Sequence, residues 1–419
     1  MPRSVGILIR AFRSLALLLW LILSLPMPAR ADFFQKVHDA LSVDDPEGRF
    51  HLQLSGLVDL EGYLIDQPAP ALLFTDEDFL LNPRLTLFLD AQIGSKIYIF
   101  AQTRVDRGFD PTDGGAEVRL DEYFLRYSPA KSVNFQIGQF ATVVGNWVSR
   151  HDSWQNPFIN APLPYENLTG MWDSAAPEDA DELLYWAHVP GYDNGDYSDK
   201  ILRLPIVWGP DYGSGIAVTG SLGRFDYAAE MKNTALGSRP ESWSITQNGL
   251  DHPTFNTRLG FRPNEMWNVG MSASAGPYFQ PIAGPSLPPG RGLSDYRELV
   301  LAQDISFAWH HFQLWAEFYE ARFEVPRIGN ADTFAYYFEA KYKITPQLFG
   351  ALRWNQQLFG TIRNESERAT WGNDIWRIDA AIGYRFTDHL QGKLQYSFSH
   401  QDSPQEGENL AAAQLTLKF

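Results

Sequence analysis

Apolar and polar residues alternate along most of the chain after residue 50. In residues 376–386, WRIDAAIGYRF, the large apolar side chains take the even positions, and Arg377 and Asp379 take odd positions. Residues 95–106 and 388–401 show the same period of two. That period is typical of β-strands with one apolar and one polar face. The chain is therefore predicted to be an all-β protein.

Sixteen segments of this kind are predicted, and many of them run to about ten residues or more, the length a tilted strand needs to cross a bilayer. Strands of a soluble sandwich are shorter, around five or six residues. The predicted strands lie near 50–63, 79–92, 95–106, 116–128, 131–141, 212–222, 224–233, 253–262, 265–276, 298–309, 311–324, 332–345, 346–358, 373–387, 388–401 and 408–419.

The connections between these strands differ in length in a regular way. Short turns are expected at 128–132, 223–225, 262–266, 309–311, 344–347 and 386–389. Long, polar connections are expected at 64–78, 107–115, 233–252, 277–297, 325–331, 358–372 and 401–408. Short turns at one end and long loops at the other are typical of a transmembrane antiparallel β-barrel. An even count of about sixteen strands puts both chain ends on the short-turn side.

The connection at 142–211 is far longer than the others, and loops of this size are uncommon unless they are functional. It is the third long loop, and we expect it to fold into the lumen. The alternatives are that it lies over the mouth or contains an extra strand pair. Residues 200–209 alternate like a strand, and an eighteen-stranded barrel would need a partner for them near 183–190.

The first 31 residues have the pattern of a signal peptide. Arg3, Arg10 and Arg13 precede an apolar run from Leu15 to Leu25, and Ala29-Arg30-Ala31 follows two prolines. We expect cleavage after Ala31, with an uncleaved anchor as the alternative. Residues 32–49 are then a short periplasmic segment and residues 50–419 the barrel. The predicted location is the bacterial outer membrane.

Composition narrows the possible chemistry. Aromatic residues make up 14% of the chain, mean hydropathy is −0.26, and there is no cysteine. Cysteine-ligated metals, disulfides and attached c-type haem are therefore excluded. Ser149, His151 and Asp152 lie too close in sequence for a catalytic triad, which is defined by spatial geometry. We expect neither an enzyme nor a cofactor, and no nucleic-acid partner.

The alternation also predicts which charged residues line the lumen. The predicted cations are Arg84, Lys96, Arg104, Arg126, Arg258, Lys341, Arg353, Arg377 and Arg385, and the predicted anions are Asp106, Glu122, Glu317, Glu339 and Asp379. Opposite charges across a narrow pore create a transverse field that favours polar solutes. Alternatively, they pair across strands and only stiffen the wall.

Candidate residues in the long loop come from its polar and aromatic positions. The predicted constriction residues are His151, Asp152, Trp154, Tyr165, Glu166 and Asp173. Asp193, Asp196 and Asp199 are weak calcium candidates, because the EF-hand spacing and its terminal Glu are missing and a solvated turn explains them as well. Aromatic residues near the short turns predict an interfacial girdle, whereas a sugar-stacking slide would need lumen-facing rings such as Tyr98, Trp315 and Tyr319.

The stretch LDEYFLRYSPAKSVNFQIGQF at 120–140, together with the terminal Phe419, resembles the phosphate-selective porin O and P family of bacterial outer-membrane porins. The resemblance to bacterial porins implies a lumen-folded third loop, recognition of Phe419 by the barrel-assembly machinery, and a homotrimer. The family's phosphate selectivity depends on lysine clusters and an arginine ladder, whereas the loop at 142–211 is acidic. No phosphate-binding residue is therefore carried over.

These observations predict a porin in contact with outer-membrane lipid that passes small hydrophilic solutes or ions by passive diffusion. An anion- or phosphate-selective channel that uses a mildly basic wall is the nearest alternative. A barrel that forms a sheath for a periplasmic partner, such as a cytochrome, is another. A barrel lipase would need a Ser/His pair on the wall, and the sequence offers none.

Overall fold

The computed structural model describes residues 36–37, 39–75, 77–106, 117–188, 200, 202–243, 245–364, 367–402 and 407–419. The predicted signal peptide, residues 1–31, lies outside the described residues. The calcium candidates Asp193, Asp196 and Asp199 also lie outside them. Within the described residues, no helix combines the length and the apolar character needed to span a membrane.

Sixteen long antiparallel strands make up the main sheet of the described chain. In chain order they are β1 Phe50–Ile65, β2 Phe79–Ile93, β3 Ile97–Asp106, β4 Glu117–Ala130, β5 Val133–Phe140, β6 Gly213–Leu222, β7 Phe225–Lys232, β8 Thr254–Phe261, β9 Trp267–Pro277, β10 Arg297–Trp309, β11 Phe312–Val325, β12 Gly329–Lys343, β13 Leu348–Phe359, β14 Ile375–Arg385, β15 Leu390–Gln401 and β16 Glu408–Lys418.

The sheet closes on itself because the last strand pairs with the first. Strand β16 runs antiparallel to β1, in register from Leu410 opposite Ile65 to Lys418 opposite Leu57. Every other strand pairs with its neighbours in the sequence. The prediction of a sixteen-stranded antiparallel barrel is confirmed.

The chain also forms shorter strands, α-helices and 3₁₀ turns. Strand Ser42–Asp44 pairs with the start of β1, and Thr361–Arg363 forms a hairpin with Arg368–Thr370 in the β13–β14 connection. The α-helices are Ala180–His188 and Ile245–Asn248. The 3₁₀ turns are Trp147–Arg150, Leu163–Tyr165, Pro240–Ser242, Pro281–Ser286 and Leu293–Asp295.

One predicted loop is wrong, and for a second connection the structure decides between the two alternatives. The expected long loop at 325–331 is a tight hairpin, because β11 and β12 continue to pair up to Val325 opposite Gly329. Residues 202–209 contain no strand; they make a single bridge between Trp172 and Arg203. The eighteen-stranded alternative is therefore wrong.

The barrel is apolar outside and polar inside, the reverse of a soluble protein. On β13 Arg353, Asn355 and Gln357 are at most 1% exposed, whereas Leu352, next to Arg353 on the opposite face, is 61% exposed. The same contrast recurs on other strands, where the exposed apolar side chains include Ile137, Ile216, Leu259, Met271, Leu301, Ile382 and Leu394. Such an outer face is stable only against an apolar medium.

Amphipathic rings collect near the short turns, as the sequence predicts. Tyr127, Trp267, Trp309, Tyr342 and Tyr384 are 40–57% exposed and lie at strand ends on that side of the barrel. Rings that combine an apolar body with a polar tip suit the boundary between apolar and aqueous surroundings.

The carboxyl-terminal residue is part of the barrel seam. The backbone of Phe419 exchanges two hydrogen bonds of 3.0 Å with Gly56 of β1. Its ring covers Gly56 so closely that a methyl group there would lie 2.5 Å from the ring Cζ and 2.9 Å from the Thr86 carbonyl oxygen. Phe419 therefore packs where the first and last strands meet.

The packing of Phe419 against β1 leaves no room for a larger side chain at position 56. Gly56→Ala should lower the free energy of unfolding by about 1–3 kcal/mol, because the added methyl overpacks the ring and the backbone. Thermal unfolding in detergent, followed by the gel mobility shift of the folded barrel, measures this.

Gly62→Ala, on the same strand, is the matched control. A methyl at Gly62 lies 3.7 Å from the Phe79 ring, which is ordinary contact, so its stability should be close to that of the parent chain. Equal losses in the two variants would contradict the packing of Phe419 at the seam.

Candidate functional site: the barrel interior

The long segment 142–211 has two parts with different surroundings. Residues 143–168, here called the inner segment, contact polar-face side chains of β11 to β15. Its partners include Glu317, Glu339 and Lys393. The described residues from 169 to 211 are here called the outer segment. Most of its buried apolar residues pack against the other long connections, in a cluster with Tyr278, Phe279 and Trp371 among its members, whereas Ile206 and Val207 pack with the inner segment.

A continuous chain of alternating charges joins the inner segment to the wall. It is called the six-charge chain, and it starts and ends in the inner segment. Its members in order are Arg150, Glu339, Arg353, Asp379, Arg377 and Glu166, with successive nitrogen–oxygen distances of 2.5, 3.6, 2.8, 3.1 and 2.5 Å. Three cations therefore meet three anions.

These six side chains are removed from solvent, so their pairing matters. Arg353 is 1% and Asp379 0% exposed. Two further donors, the Ser397 hydroxyl and the Asn355 amide, satisfy Asp379 at 2.5 and 2.9 Å. Burial raises the pKa of the Glu166 carboxyl, and the Arg377 guanidinium opposes that shift. Desolvated charges are stable only when all are paired in this way.

Glu317 on β11 binds the start of the inner segment. Its carboxylate accepts the backbone N–H groups of Asn146 and Trp147 at 2.9 and 2.6 Å. It also accepts the hydroxyls of Tyr165 and Tyr319 at 2.6 and 2.7 Å. Four donors on one carboxylate replace its hydration and fix the 3₁₀ turn that follows Asn146.

Lys393 on β15 makes the complementary contact further along. Its ammonium donates to the carbonyl oxygens of Ser153, Asn156 and Phe158 at 2.8, 3.0 and 3.1 Å. All three donors of the ammonium are therefore used. A wall anion thus holds N–H groups and a wall cation holds carbonyl groups of the same segment.

The sequence of the inner segment suits this path. Pro157, Pro162 and Pro164 stiffen it and remove backbone donors that the wall would otherwise have to satisfy. Gly145 has φ of 78°, and a methyl group there would collide with the hydroxyls of Tyr319 and Tyr165. Only glycine allows both the left-handed backbone and this approach.

A cavity of about 310 Å³ remains between the inner segment and strands β1 to β4. Three arginines on its wall are paired with wall carboxylates rather than with the inner segment. The pairs are Arg84 with Asp59 and Glu61 at 3.2 and 2.5 Å, Arg104 with Asp106 and Asp121 at 3.2 and 3.2 Å, and Arg119 with Asp106 and Asp121 at 3.2 and 3.5 Å.

Carboxylates outnumber guanidinium groups around this cavity. Among the described residues that line it, the carboxylates are Asp59, Glu61, Asp106, Asp121, Asp152, Glu166 and Glu241. The guanidinium groups are Arg84, Arg104, Arg119 and Arg377. Seven acids against four bases give the cavity an acidic lining, whereas the sequence suggested a mildly basic wall.

The predicted wall residues fall into separate groups. Arg353, Arg377, Glu339 and Asp379 belong to the six-charge chain, Glu317 binds the inner segment, and Arg84, Arg104 and Asp106 line the cavity. Arg258 pairs with Asp304 at 2.7 Å, Lys341 lies 4.4 Å from the centre of the Phe349 ring, Arg385 lies over Trp154 at 5.2 Å, and Glu122 and Arg126 line a second pocket.

Lys96 is the exception among the predicted wall residues. It lies in the exposed turn 94–96 between β2 and β3, not on a strand. The predicted strand 95–106 begins two residues too early, because β3 begins only at Ile97.

Sequence reasoning missed Arg119 and Asp121 because of a β-bulge. The register between β3 and β4 shifts between Gln102 and Thr103, opposite Asp121. Beyond the bulge, odd positions of β4 face inward, so Arg119 and Asp121 are buried. The outward-facing apolar residues switch from even positions, such as Leu120, to odd positions, such as Tyr123. This switch is the sequence signal that could have revealed the two residues.

The predicted constriction residues occupy different places. Tyr165 and Glu166 contact the wall as described, and the Asp152 carboxylate caps the N–H groups of Trp154 and Gln155 at 2.9 and 2.8 Å. Asp173 belongs to the outer segment, where it accepts the Gln280 amide at 2.7 Å.

His151 makes no contact of a catalytic kind. Its Nδ1 is 2.6 Å from the Val148 carbonyl oxygen and its Nε2 is 2.7 Å from the Tyr212 hydroxyl. Burial lowers the pKa of its imidazole. The neighbouring Ser149 hydroxyl donates to the Asn146 carbonyl instead of to His151.

The outer segment is tied to the β1–β2 connection by a buried lysine. The Lys200 ammonium donates to the carbonyl oxygens of Ala69 and Leu73 at 2.8 and 2.5 Å and lies 5.0 Å from the centre of the Phe74 ring. Burial lowers its pKa to about 7. Within the part of the chain that the structure describes, no cluster of His, Asp and Glu side chains forms a metal site.

The chain is similar in structure to known outer-membrane channels. OmpF of Salmonella typhi, in complex with daunomycin, matches with a TM-score of 0.55 and 12% identity over 90% of this chain and 100% of that one. The anion-selective porin of Comamonas acidovorans matches with 0.55 and 10%, over 88% and 100%. The channel DcaP of Acinetobacter baumannii matches with 0.54 and 12%, over 90% and 99%.

The chain has the fold of the outer-membrane porins. Identities of 10–12% show a shared fold and no more. No family model and no curated protein matches this chain in sequence. The resemblance to the phosphate-selective porin O and P family therefore remains a resemblance of one hairpin and the terminal Phe419.

The burial of the six-charge chain predicts that replacing one of its arginines lowers the free energy of unfolding far more than replacing an exposed arginine. Arg353→Met should lower the free energy of unfolding by about 3–5 kcal/mol, because it leaves Asp379 and Glu339 buried without this partner. Urea unfolding in detergent, followed by tryptophan fluorescence, measures the loss.

Arg322→Met is the matched control. Arg322 pairs with Asp332 at 2.6 Å, but both side chains are about half exposed, so the expected loss is about 0–1 kcal/mol. A loss at Arg353 no larger than that at Arg322 would show that the chain is not a structural constraint.

The outer segment should respond to pH through Asp173. Burial raises the pKa of Asp173 to about 6, from an ordinary value of 3.8, so the packed segment holds the proton more tightly than the open segment. The contribution of Asp173 to the stability of the segment should fall as pH rises from about 4 to 6 and stay level above, by an amount on the order of 3 kcal/mol.

Hydrogen exchange of residues 169–176, compared with an Asp173→Asn variant at each pH, measures this. The variant keeps the Gln280 contact and carries no titratable group, so the difference between the two proteins should change only between pH 4 and 6. A constant difference across that range would rule out the titration.

Proposed function

We propose that this chain is an outer-membrane porin through which small hydrophilic solutes or ions pass by passive diffusion. The observation that carries the proposal is the charged cavity of about 310 Å³ enclosed by a barrel whose outer face is apolar. An apolar outside places the barrel in lipid, and a polar interior keeps water inside. The chemistry is transport without a reaction.

The membrane location and assembly belong to the same proposal. The pattern of residues 1–31 suits export with cleavage after Ala31. The short segment 32–49 then lies on the periplasmic side with the short turns. Phe419, at the seam, is the residue that the barrel-assembly machinery would recognise. A homotrimer is the proposed assembly by analogy with sixteen-stranded porins.

We infer that the inner segment forms the constriction. Its anchoring through the six-charge chain, Glu317 and Lys393 supports this, because its partners in these contacts lie on the polar face of the wall. The segment covers β11 to β15 and leaves the cavity along β1 to β4. Solutes would therefore pass between the inner segment and the wall arginines Arg84, Arg104 and Arg119.

The acidic lining favours cations over anions. Seven carboxylates and four guanidinium groups line the cavity, and charged rings in a pore select ions of the opposite sign. An anion- or phosphate-selective channel, the nearest alternative from the sequence, would need the reverse balance.

A sheath for a periplasmic protein fits the interior poorly. The chain's own inner segment occupies the space beside β11 to β15, and the remaining cavity is the size of a small solute. A protein partner would have to displace the contacts of Arg150, Glu166, Glu317 and Lys393. The geometry therefore favours a solute pathway.

Planar-bilayer recording tests the function directly. Purified protein should insert in steps of ohmic conductance, and a tenfold KCl gradient should give a reversal potential with the sign of a cation-preferring pore. The opposite sign would establish the anion channel in its place. Folded protein that inserts without conducting would overturn the porin proposal.

Shortening the inner segment tests the constriction. Replacing residues 151–164 by a short Gly/Ser linker should raise single-channel conductance severalfold, because it removes the part of the chain that fills the lumen. A control deletion of residues 289–292, which are exposed and do not line the cavity, should leave conductance unchanged. Equal conductance of the two variants would exclude the inner segment as the constriction.

A further inference from the structure

A second pocket, of about 370 Å³, lies on the inner face of β3 to β6. It is close to the short turns, because Tyr98 follows the turn 94–96 and Arg126 and Gln136 flank the turn 131–132. The long segment reaches only its edge, at Ala141 and Val143. The pocket is therefore separate from the charged cavity and lies on the short-turn side of the barrel.

Aromatic rings line this pocket on a face that is otherwise polar. Phe100 and Phe124 have ring centres 5.4 Å apart, and Tyr98 and Phe124 have ring centres 6.0 Å apart. Phe88 continues the row, 6.3 Å from Phe100. Tyr98, Phe100 and Phe88 are only partly buried, so apolar surface faces the aqueous interior.

An arginine lies over these rings. The Arg126 guanidinium carbon is 5.0 Å from the centre of the Phe124 ring and 5.6 Å from that of Tyr98. Its Nε and Nη2 donate to the Gln136 side-chain oxygen at 3.0 and 2.9 Å. Among the described residues, no carboxylate lies within ion-pair distance of it, unlike the arginines of the cavity and the six-charge chain.

Acceptors stand beside this donor. The Glu122 carboxylate lines the pocket and accepts one long hydrogen bond, 3.3 Å, from the Ala141 N–H. The side chains of Gln136 and Thr219 line it as well, and the Tyr98 hydroxyl bonds to Asp90. The pocket therefore combines flat apolar faces with both donors and acceptors of hydrogen bonds.

We propose that this pocket is a saccharide-binding subsite within the pore, an inference that rests on the proposed porin function. A sugar ring presents C–H groups on its face, which pack on aromatic rings, and hydroxyls at its edge, which both donate and accept. Arg126, Gln136 and Glu122 would serve those hydroxyls. An aromatic carboxylate would gain from Arg126 but would be repelled by Glu122 beside it.

The test is blockade of the ion current by sugars in planar bilayers. Maltose added on the short-turn side should reduce the conductance of wild-type channels in a saturable manner, and benzoate at the same concentrations should not. Blockade by benzoate without blockade by maltose would assign the pocket to aromatic anions and overturn the proposal. Absence of blockade by either would show that the rings only pack the wall.

Single variants link the blockade to the pocket. Tyr98→Ala and Phe100→Ala should each raise the half-blocking concentration of maltose by about tenfold, the effect expected from losing one stacking face. Phe135→Ala is the matched control, because Phe135 lies on β5 beside Gln136 but is exposed on the outer face. Its blockade should match that of the parent channel.

The outcomes separate this inference from the proposed function. Channels that conduct but show saturating sugar blockade unchanged in both pocket variants would place the sugar site elsewhere and overturn the inference alone. Channels that conduct and are never blocked would do the same. Protein that is folded, as judged by gel mobility, but does not conduct would overturn both.

Discussion

The constraint on which the rest of the structure depends is that charged groups buried inside the barrel must be paired. The six-charge chain meets it by bringing Arg150 and Glu166 of the inner segment to Glu339, Arg353, Asp379 and Arg377 of the wall. Each ion would be costly to bury alone, whereas the series is neutral and each member has a neighbour of opposite charge. The inner segment is therefore held by charge pairing and backbone hydrogen bonds, together with an apolar cluster in which Val144, Trp147 and Tyr165 pack with Tyr319 and Tyr337.

The same argument explains why one side of the interior is filled and the other is open. Along β11 to β15, wall charges such as Glu317 and Lys393 find their partners in the inner segment. Along β1 to β4, Arg84, Arg104 and Arg119 find carboxylates on the wall itself. That wall has no need of the segment, so the space beside it stays available to water and solutes.

Alternation was enough to predict the sixteen strands, because a barrel requires the period of two on every strand. It was also enough to place Arg353, Arg377 and Asp379 on the inner face. It failed where the period breaks, at the bulge opposite Asp121 and at the turn that contains Lys96. The partners themselves were beyond its reach, since Arg150 and Glu339 are 189 residues apart and only the closed fold brings them together.

The pairing of charges also bears on what the pore can discriminate. A charge already neutralised by a neighbour contributes little net attraction, so the ladder of Arg84, Arg104 and Arg119 orients water more than it binds a solute. Selectivity must then come from the carboxylates in excess around the cavity and from groups that lack such partners. The partly buried rings of Tyr98 and Phe100 are of the second kind, because apolar surface in contact with water has an unfavourable free energy that a covering ligand would relieve. That surface, rather than the paired charges, is where a neutral solute would gain most on entering the barrel.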